Sequence, residues 1–131
     1  MLEVLAAGAT SMAIGALWYS PVFFGNVWIH LMGFTAEYMQ KQKKSMWIKY
    51  IVAFGGALLM AYVFAYLIQF TNSFTLKSGA QAGFWIWLGF FATNGLGVIL
   101  WEGRKSELYL INSAHQLISM VVMGMILAVW R

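Results

Sequence analysis

The sequence predicts an all-α integral membrane protein: a four-transmembrane-helix bundle with an interfacial amphipathic helix after helix 1. Three observations predict it. Hydrophobic residues make up 62% of the 131 and charged residues only 9%, whereas a soluble domain carries about 25% charged residues. The apolar residues gather into four blocks, Leu2 to Tyr19, Ile48 to Phe70, Ala80 to Trp101 and Leu108 to Trp130, each close to the ~20 residues that cross a bilayer. Most of the charges fall between the blocks. Helices are therefore expected at about 2–20, 48–70, 80–101 and 108–130, with a cytoplasmic loop at 35–47, all in one membrane domain spanning 1–131.

The first block is expected to stay as a span. It lacks the basic start of a secretory signal, carries Glu3 instead, and exceeds the usual apolar length of roughly 7 to 15 residues. It runs into "LWYSPVFFGNVW", Leu17 to Trp28. Pro21 has no backbone donor and pushes Ser20 towards extended geometry, so a regular helix ends most easily near Tyr19. Trp18 and Tyr19 then fall at the headgroup boundary, where amphipathic rings are favoured. Together with Pro21, Trp28 and Trp101 they are the expected interface anchors. Gly25 lets the chain redirect. From Phe24 to Leu31 the pattern is amphipathic, with Phe24, Val27, Trp28 and Leu31 on one face and Asn26 and His30 on the other, as in a helix lying in the headgroup plane. Thr35 reads as the N-cap of a cationic cytoplasmic helix, "AEYMQKQKK", with Glu37 in its first turn.

The second block places Ala53, Ala57, Ala61 and Ala65 at four-residue intervals, a small-residue face for close helix contact. The first block repeats the device with Ala7, Ser11 and Gly15. Two short connections, "TNSFTLKS" and "EGRKSE", make successive spans antiparallel neighbours. In the latter, Gly103 reads as a left-handed cap, and Ser106 followed by Glu107 as a cap and first-turn acid. "ATSMAIGALW" and "ATNGLGVILW" share Ala, Thr, Leu and Trp at one spacing, which sets Trp18 and Trp101 at the same depth. Lys41, Lys43, Lys44, Lys49, Arg104 and Lys105 lie on one side and only Lys77 and Arg131 on the other. The positive-inside rule then puts both termini outside.

The run "LWYSPVFFGNVWIHLMGF", continuing through "TAEYM", resembles the signature of a family of small bacterial membrane proteins, domain of unknown function 1761. "INSAHQLISMVVMGMILAVW" resembles that family's last helix. The likeness covers most of the chain. It implies a four-helix protein of the bacterial cytoplasmic (inner) membrane; it carries no reaction, and no catalytic residue transfers with it.

The residues themselves point away from an enzyme and from a cofactor. With no cysteine, disulfides, thiolate catalysis and cysteine metal sites are excluded. The net charge of +4 sits in loops beside spans, where lipid headgroups account for it better than nucleic acid. No carboxylate pair, nucleophile triad or phosphate loop is present, and the "GLG" at Gly95 to Gly97 falls inside a helix. His30 and His115 are the only histidines and fall at different levels, so no metal centre is expected.

The last block is less ordinary, because Asn112, His115, Gln116 and Ser119 recur at intervals of three and four, a polar stripe on an apolar helix. At 1.5 Å per residue, Ser11, Gly55, Asn94 and His115 all lie about 10 Å from the inner ends of their helices, with Gly55 and Gly56 leaving space. His115, Asn94, Asn112, Gln116, Ser119 and Ser11 are thus the candidate ligand-binding or proton-linked layer. The plain alternative is that these groups only bond one another, at ~0.6 kcal/mol each. Against it, an intramembrane histidine often marks a proton or substrate path. Two functions follow: a transport or small-ligand-binding protein, expected to be oligomeric, in which permeation needs several copies around an axis or a cleft between helices because four helices pack a filled core rather than a pore, or a non-catalytic structural or accessory subunit of a larger membrane complex. A wet cavity lined by His115 favours the first. A dry layer with lipid-facing aromatic stripes favours the second.

Overall fold

In the computed structural model, which describes residues 1–130, every regular element is a helix. In chain order these are α1 (Leu2–Trp18), α2 (Gly25–Met32), α3 (Ala36–Lys43), α4 (Met46–Phe70), α5 (Leu76–Ile86), a π-helical segment (Trp87–Ala92) leading without a break into α6 (Thr93–Leu100), and α7 (Ser106–Val129). Three stretches are long and apolar enough to cross a membrane: Met46–Phe70, Leu76–Leu100 and Ser106–Val129. The apolar α1 is shorter, at 17 residues. Arg131, one of the two basic residues assigned to the outer side, lies outside the described residues.

Large apolar side chains point outward. Val52, Leu59, Val63 and Leu67 of α4, and Trp85, Leu88 and Phe90 of the following helix, are all exposed. So much contiguous apolar surface is unfavourable in water and fits contact with lipid. The interior is built around α7, which packs against α1, α4, α5, the π segment and α6. Val4 and Ala7 of α1, Ala61, Phe64 and Ile68 of α4, and Met120, Met123, Leu127 and Ala128 of α7 form its core.

The closest helix approach is between α5 and α7. A Cβ added at Gly79 would lie 2.3 Å from the Gly124 carbonyl oxygen, and one at Gly83 would lie 2.3 Å from that of Met120. Gly79 and Gly83 are four apart, a small-residue pair that lets two backbones meet. On α4 the alanine row is not one seam: Ala61 is buried, Ala57 and Ala65 are half-buried and Ala53 is exposed. A row of strict fours drifts about 40° around the helix at each step, so the buried face follows Ala61, Phe64 and Ile68 instead. The short turn after α4, with Asn72 at φ 53°, does not make α4 and α5 close neighbours, for they share no extensive contact. Gly124 of α7 reaches both, with Gly79 on one side and Phe64 on the other.

The α1 helix ends at Trp18, and the chain turns through Tyr19 to Phe24 before α2 begins. Gly25 is required there by close approach: its N–H donates to the Ser20 carbonyl at 2.9 Å, and a Cβ would lie 2.4 Å from the Tyr19 oxygen. Thr35 caps α3, its hydroxyl accepting from the Tyr38 N–H at 3.1 Å. Gly103 has φ 67°. Lys105, rather than Ser106, occupies the cap of α7, and Ser106 is the first helical residue, a one-residue difference in where the chain enters the helix.

Candidate functional site: two polar faces of the last helix

The polar residues of α7 sort onto two faces. Towards α1, the Tyr19 phenol donates to Asn112 Oδ1 at 2.6 Å, and the Trp18 indole N–H donates to the Ile111 carbonyl at 3.0 Å. The His115 ring lies edge-on to Tyr19 with centroids 5.2 Å apart, and 6.3 Å from the Trp18 ring. Its Nε2 is 3.4 Å from Ser119 Oγ. Gly15 leaves room for the imidazole, since a Cβ there would lie 3.2 Å from Nε2.

Residues expected at the headgroups thus form an aromatic cluster folded back on the bundle. Trp18 and Tyr19 are half-buried, and Trp28 packs edge-on to Tyr19 at 5.5 Å. A buried indole or phenol settles where its polar tip finds an acceptor, and α7 supplies one to each. Pro21 is exposed in the turn, and Trp101 is 87% exposed. Trp18 and Trp101 therefore occupy different environments despite their matching sequence positions.

Ser11 lies one helical turn before Gly15, half-buried, and its hydroxyl has no hydrogen-bond partner among the described residues. Gly55 and Gly56 are exposed, with nothing within 4 Å of an added Cβ. They leave no gap beside His115.

The other face belongs to Gln116, about 100° around the helix from His115. It borders an open groove of about 490 Å³ whose lining includes Phe91, Asn94, Gly97, Trp101 and Glu102. The side chains of Asn94, Gln116 and Glu102 have no hydrogen-bond or ion-pair partner among the described residues. Asn94 is six residues before the end of α6 at Leu100, a depth of roughly 9 Å. Two bonds tie the segment before α6 to α7: the Trp87 indole N–H donates to the Ser113 carbonyl at 2.8 Å, and the Tyr109 hydroxyl to the Ala92 carbonyl at 2.7 Å. They bracket the π segment, a distortion found often at functional sites. Gly95 permits the close approach of Tyr109, whose ring would lie 3.1 Å from an added Cβ.

The single layer expected from depth is two separate clusters. Asn112, His115 and Ser119 face α1, while Gln116 and Asn94 face the groove. Glu102 and the π segment were not foreseen. The spacing of Asn94, Val98 and Glu102, at i, i+4 and i+8, was the available sign that a carboxylate continues the Asn94 face; nothing in the composition of "WLGFFA" marks a change of helical hydrogen bonding. Among the described residues no three His, Asp or Glu side chains gather where they could hold a metal ion.

No curated protein and no solved structure matches the chain. A family model described as "Protein of unknown function (DUF1761)" matches residues 2–128, which take in the turn after α1, both polar faces of α7 and the whole groove. The chain belongs to the DUF1761 family.

Proposed function

We propose that this chain is a four-span protein of the bacterial inner membrane, with α1 as the fourth crossing, and that it binds a small ligand in the groove between α6 and α7 without catalysing a reaction. The observation that carries the reading is that two amides without a partner among the described residues, the exposed Asn94 and the half-buried Gln116, border one groove. Once lipid covers the helices, an amide shielded from water without a partner costs about 1–3 kcal/mol. That cost is offset when water, a ligand or another polar group occupies the groove. Binding is the step this geometry supports; carriage across the membrane needs a second opening on the outer side.

The remaining elements fit the reading. At 17 residues, α1 extends about 25 Å, at the short end of spanning lengths, and its buried Val4, Ala7 and Gly8 set it beside α4 and α7. The positive-inside rule puts Glu102, Arg104 and Lys105, and with them the groove mouth, at the cytoplasmic surface. The Tyr19 and Trp18 bonds hold α1 on one side of α7, which leaves Gln116 turned towards α6.

The rival reading, an accessory subunit or homo-oligomer, covers the same amides with a neighbouring helix. Native mass spectrometry of the protein released from its own membrane separates the two. The ligand reading expects a bound small molecule on the wild type that is lost from the Asn94→Leu/Gln116→Leu variant. An unliganded wild type that leaves the membrane with a second protein chain supports the subunit reading instead.

A further inference from the structure

The groove also carries the chemistry of its occupant, an inference that rests on the ligand-binding reading above. One carboxylate, Glu102, stands at its mouth. The ion pairs among the described residues are those of the Met1 ammonium with Glu3 and of Lys41 with Glu37, so neither Arg104 nor Lys105 forms an ion pair with Glu102 although they follow it closely in sequence. Deeper in lie two side-chain amide oxygens able to accept hydrogen bonds, those of Asn94 and Gln116. Phe91, Val98 and Trp101 complete the wall.

A negative charge and aromatic faces together recognise an organic ammonium group, by Coulomb attraction and cation–π contact. An anion would meet Glu102 as a like charge, with no cationic side chain lining the groove. The apolar wall suits an alkyl or aryl tail. We propose that the groove binds an amphiphilic organic cation, with its ammonium group at the mouth against Glu102 and the Trp101 ring and its apolar part running inward along Val98 and Phe91. Two sources offer this chemistry: the headgroup of an aminophospholipid, or a free lipophilic amine.

The test uses the full chain in nanodiscs of a neutral diacyl glycolipid, with empty discs as the blank. Dodecyltrimethylammonium is titrated below its micellar concentration and compared with dodecyl sulfate and dodecyl maltoside. The proposal expects saturable binding of the cation alone, weakened about tenfold or more in Glu102→Gln and lost in Gly97→Leu. The leucine would enter the groove, where a Cβ at Gly97 meets only Trp101 Cδ1, at 3.6 Å. Phosphatidylethanolamine added to the discs identifies the source: suppression of cation binding assigns the site to the lipid headgroup, and no suppression assigns it to a free amine, each in keeping with the proposal. Equal saturable binding of all three amphiphiles, unchanged in Glu102→Gln but lost in Gly97→Leu, overturns the cation assignment and leaves a ligand groove. No saturable binding of any of them overturns the cation assignment, and a wild type that also carries no small molecule from its own membrane removes the ligand-binding reading with it.

Discussion

Tyr19 donates its phenol hydrogen to Asn112 across 2.6 Å, so the turn that ends α1 is fastened to a helix that begins 87 residues later at Ser106. The neighbouring Trp18 bond to Ile111 fixes the same junction. Around α7 the successive faces then have different neighbours. Asn112, His115 and Ser119 meet α1, Gln116 borders the groove, and Met120 and Gly124 meet α5.

Removing that bond is expected to loosen the junction without unfolding the chain. Tyr19→Phe keeps the ring and deletes the donor, leaving Asn112 Oδ1 without its partner, so a loss of about 1 kcal/mol is expected. Trp18→Phe should cost a similar amount through the Ile111 carbonyl. Thermal unfolding of both variants in one detergent measures the two effects.

Glycine substitutions should divide sharply by position. Gly83→Ala forces a methyl group to 2.3 Å from the Met120 oxygen, which only backbone separation of α5 from α7 can relieve; a loss of several kcal/mol, or failure to fold, is expected. Gly55→Ala meets nothing within 4 Å and should be neutral or slightly stabilising, as alanine is the better helix former. Size-exclusion profiles and melting curves of the two proteins check the contrast.

Much of this fold is legible in the chain because local chemistry decides it. The apolar blocks are long, and Thr35 and Gly103 are cap residues whose roles follow from a hydroxyl acceptor and a left-handed backbone. The end of α1 near Tyr19 follows from Pro21. What Trp18 and Tyr19 touch does not follow, because a ring with a polar tip suits headgroups and helix carbonyls equally well, and only the approach of α7 decides. The candidate layer failed as a single site for a related reason. Counting at 1.5 Å per residue gave each residue's depth from its own helix end, but not the azimuth of each helix or its offset along its neighbours: Tyr109, not His115, is the α7 residue that packs on Gly95, and His115 lies six residues further along α7 on another face. The π segment shifts that azimuth again, through tertiary bonds from Trp87 and Tyr109.

His115 is expected to be replaceable as far as folding goes. Its one polar side-chain contact is the 3.4 Å approach to Ser119, too long for a strong hydrogen bond. His115→Gln should therefore melt within about 1 kcal/mol of wild type and leave groove binding at neutral pH unchanged. A proton-linked role would show separately, as a pH dependence of binding present in wild type and absent from His115→Gln.

Both termini are expected on the outer side, because the six basic residues of the α1–α4 and α6–α7 connections and their flanks outnumber the two on the opposite side. An alkaline phosphatase fused after the last residue should be active, and a cytoplasm-dependent fluorescent protein fused there should be dark.

Cysteine accessibility reads out whether the polar groove between α6 and α7 is wet within the membrane, and the cysteine-free chain is already a clean background for it. Single cysteines at Asn94, Gly97 and Phe90 are exposed, in intact membranes opened to the cytoplasmic side, to a charged water-soluble methanethiosulfonate. Rapid modification is expected at Asn94→Cys and Gly97→Cys, slowed by dodecyltrimethylammonium, and none at Phe90→Cys, on the exposed apolar surface. Inert cysteines at both groove positions would contradict a wet groove, since the amides would then be covered by something other than water or a displaceable ligand.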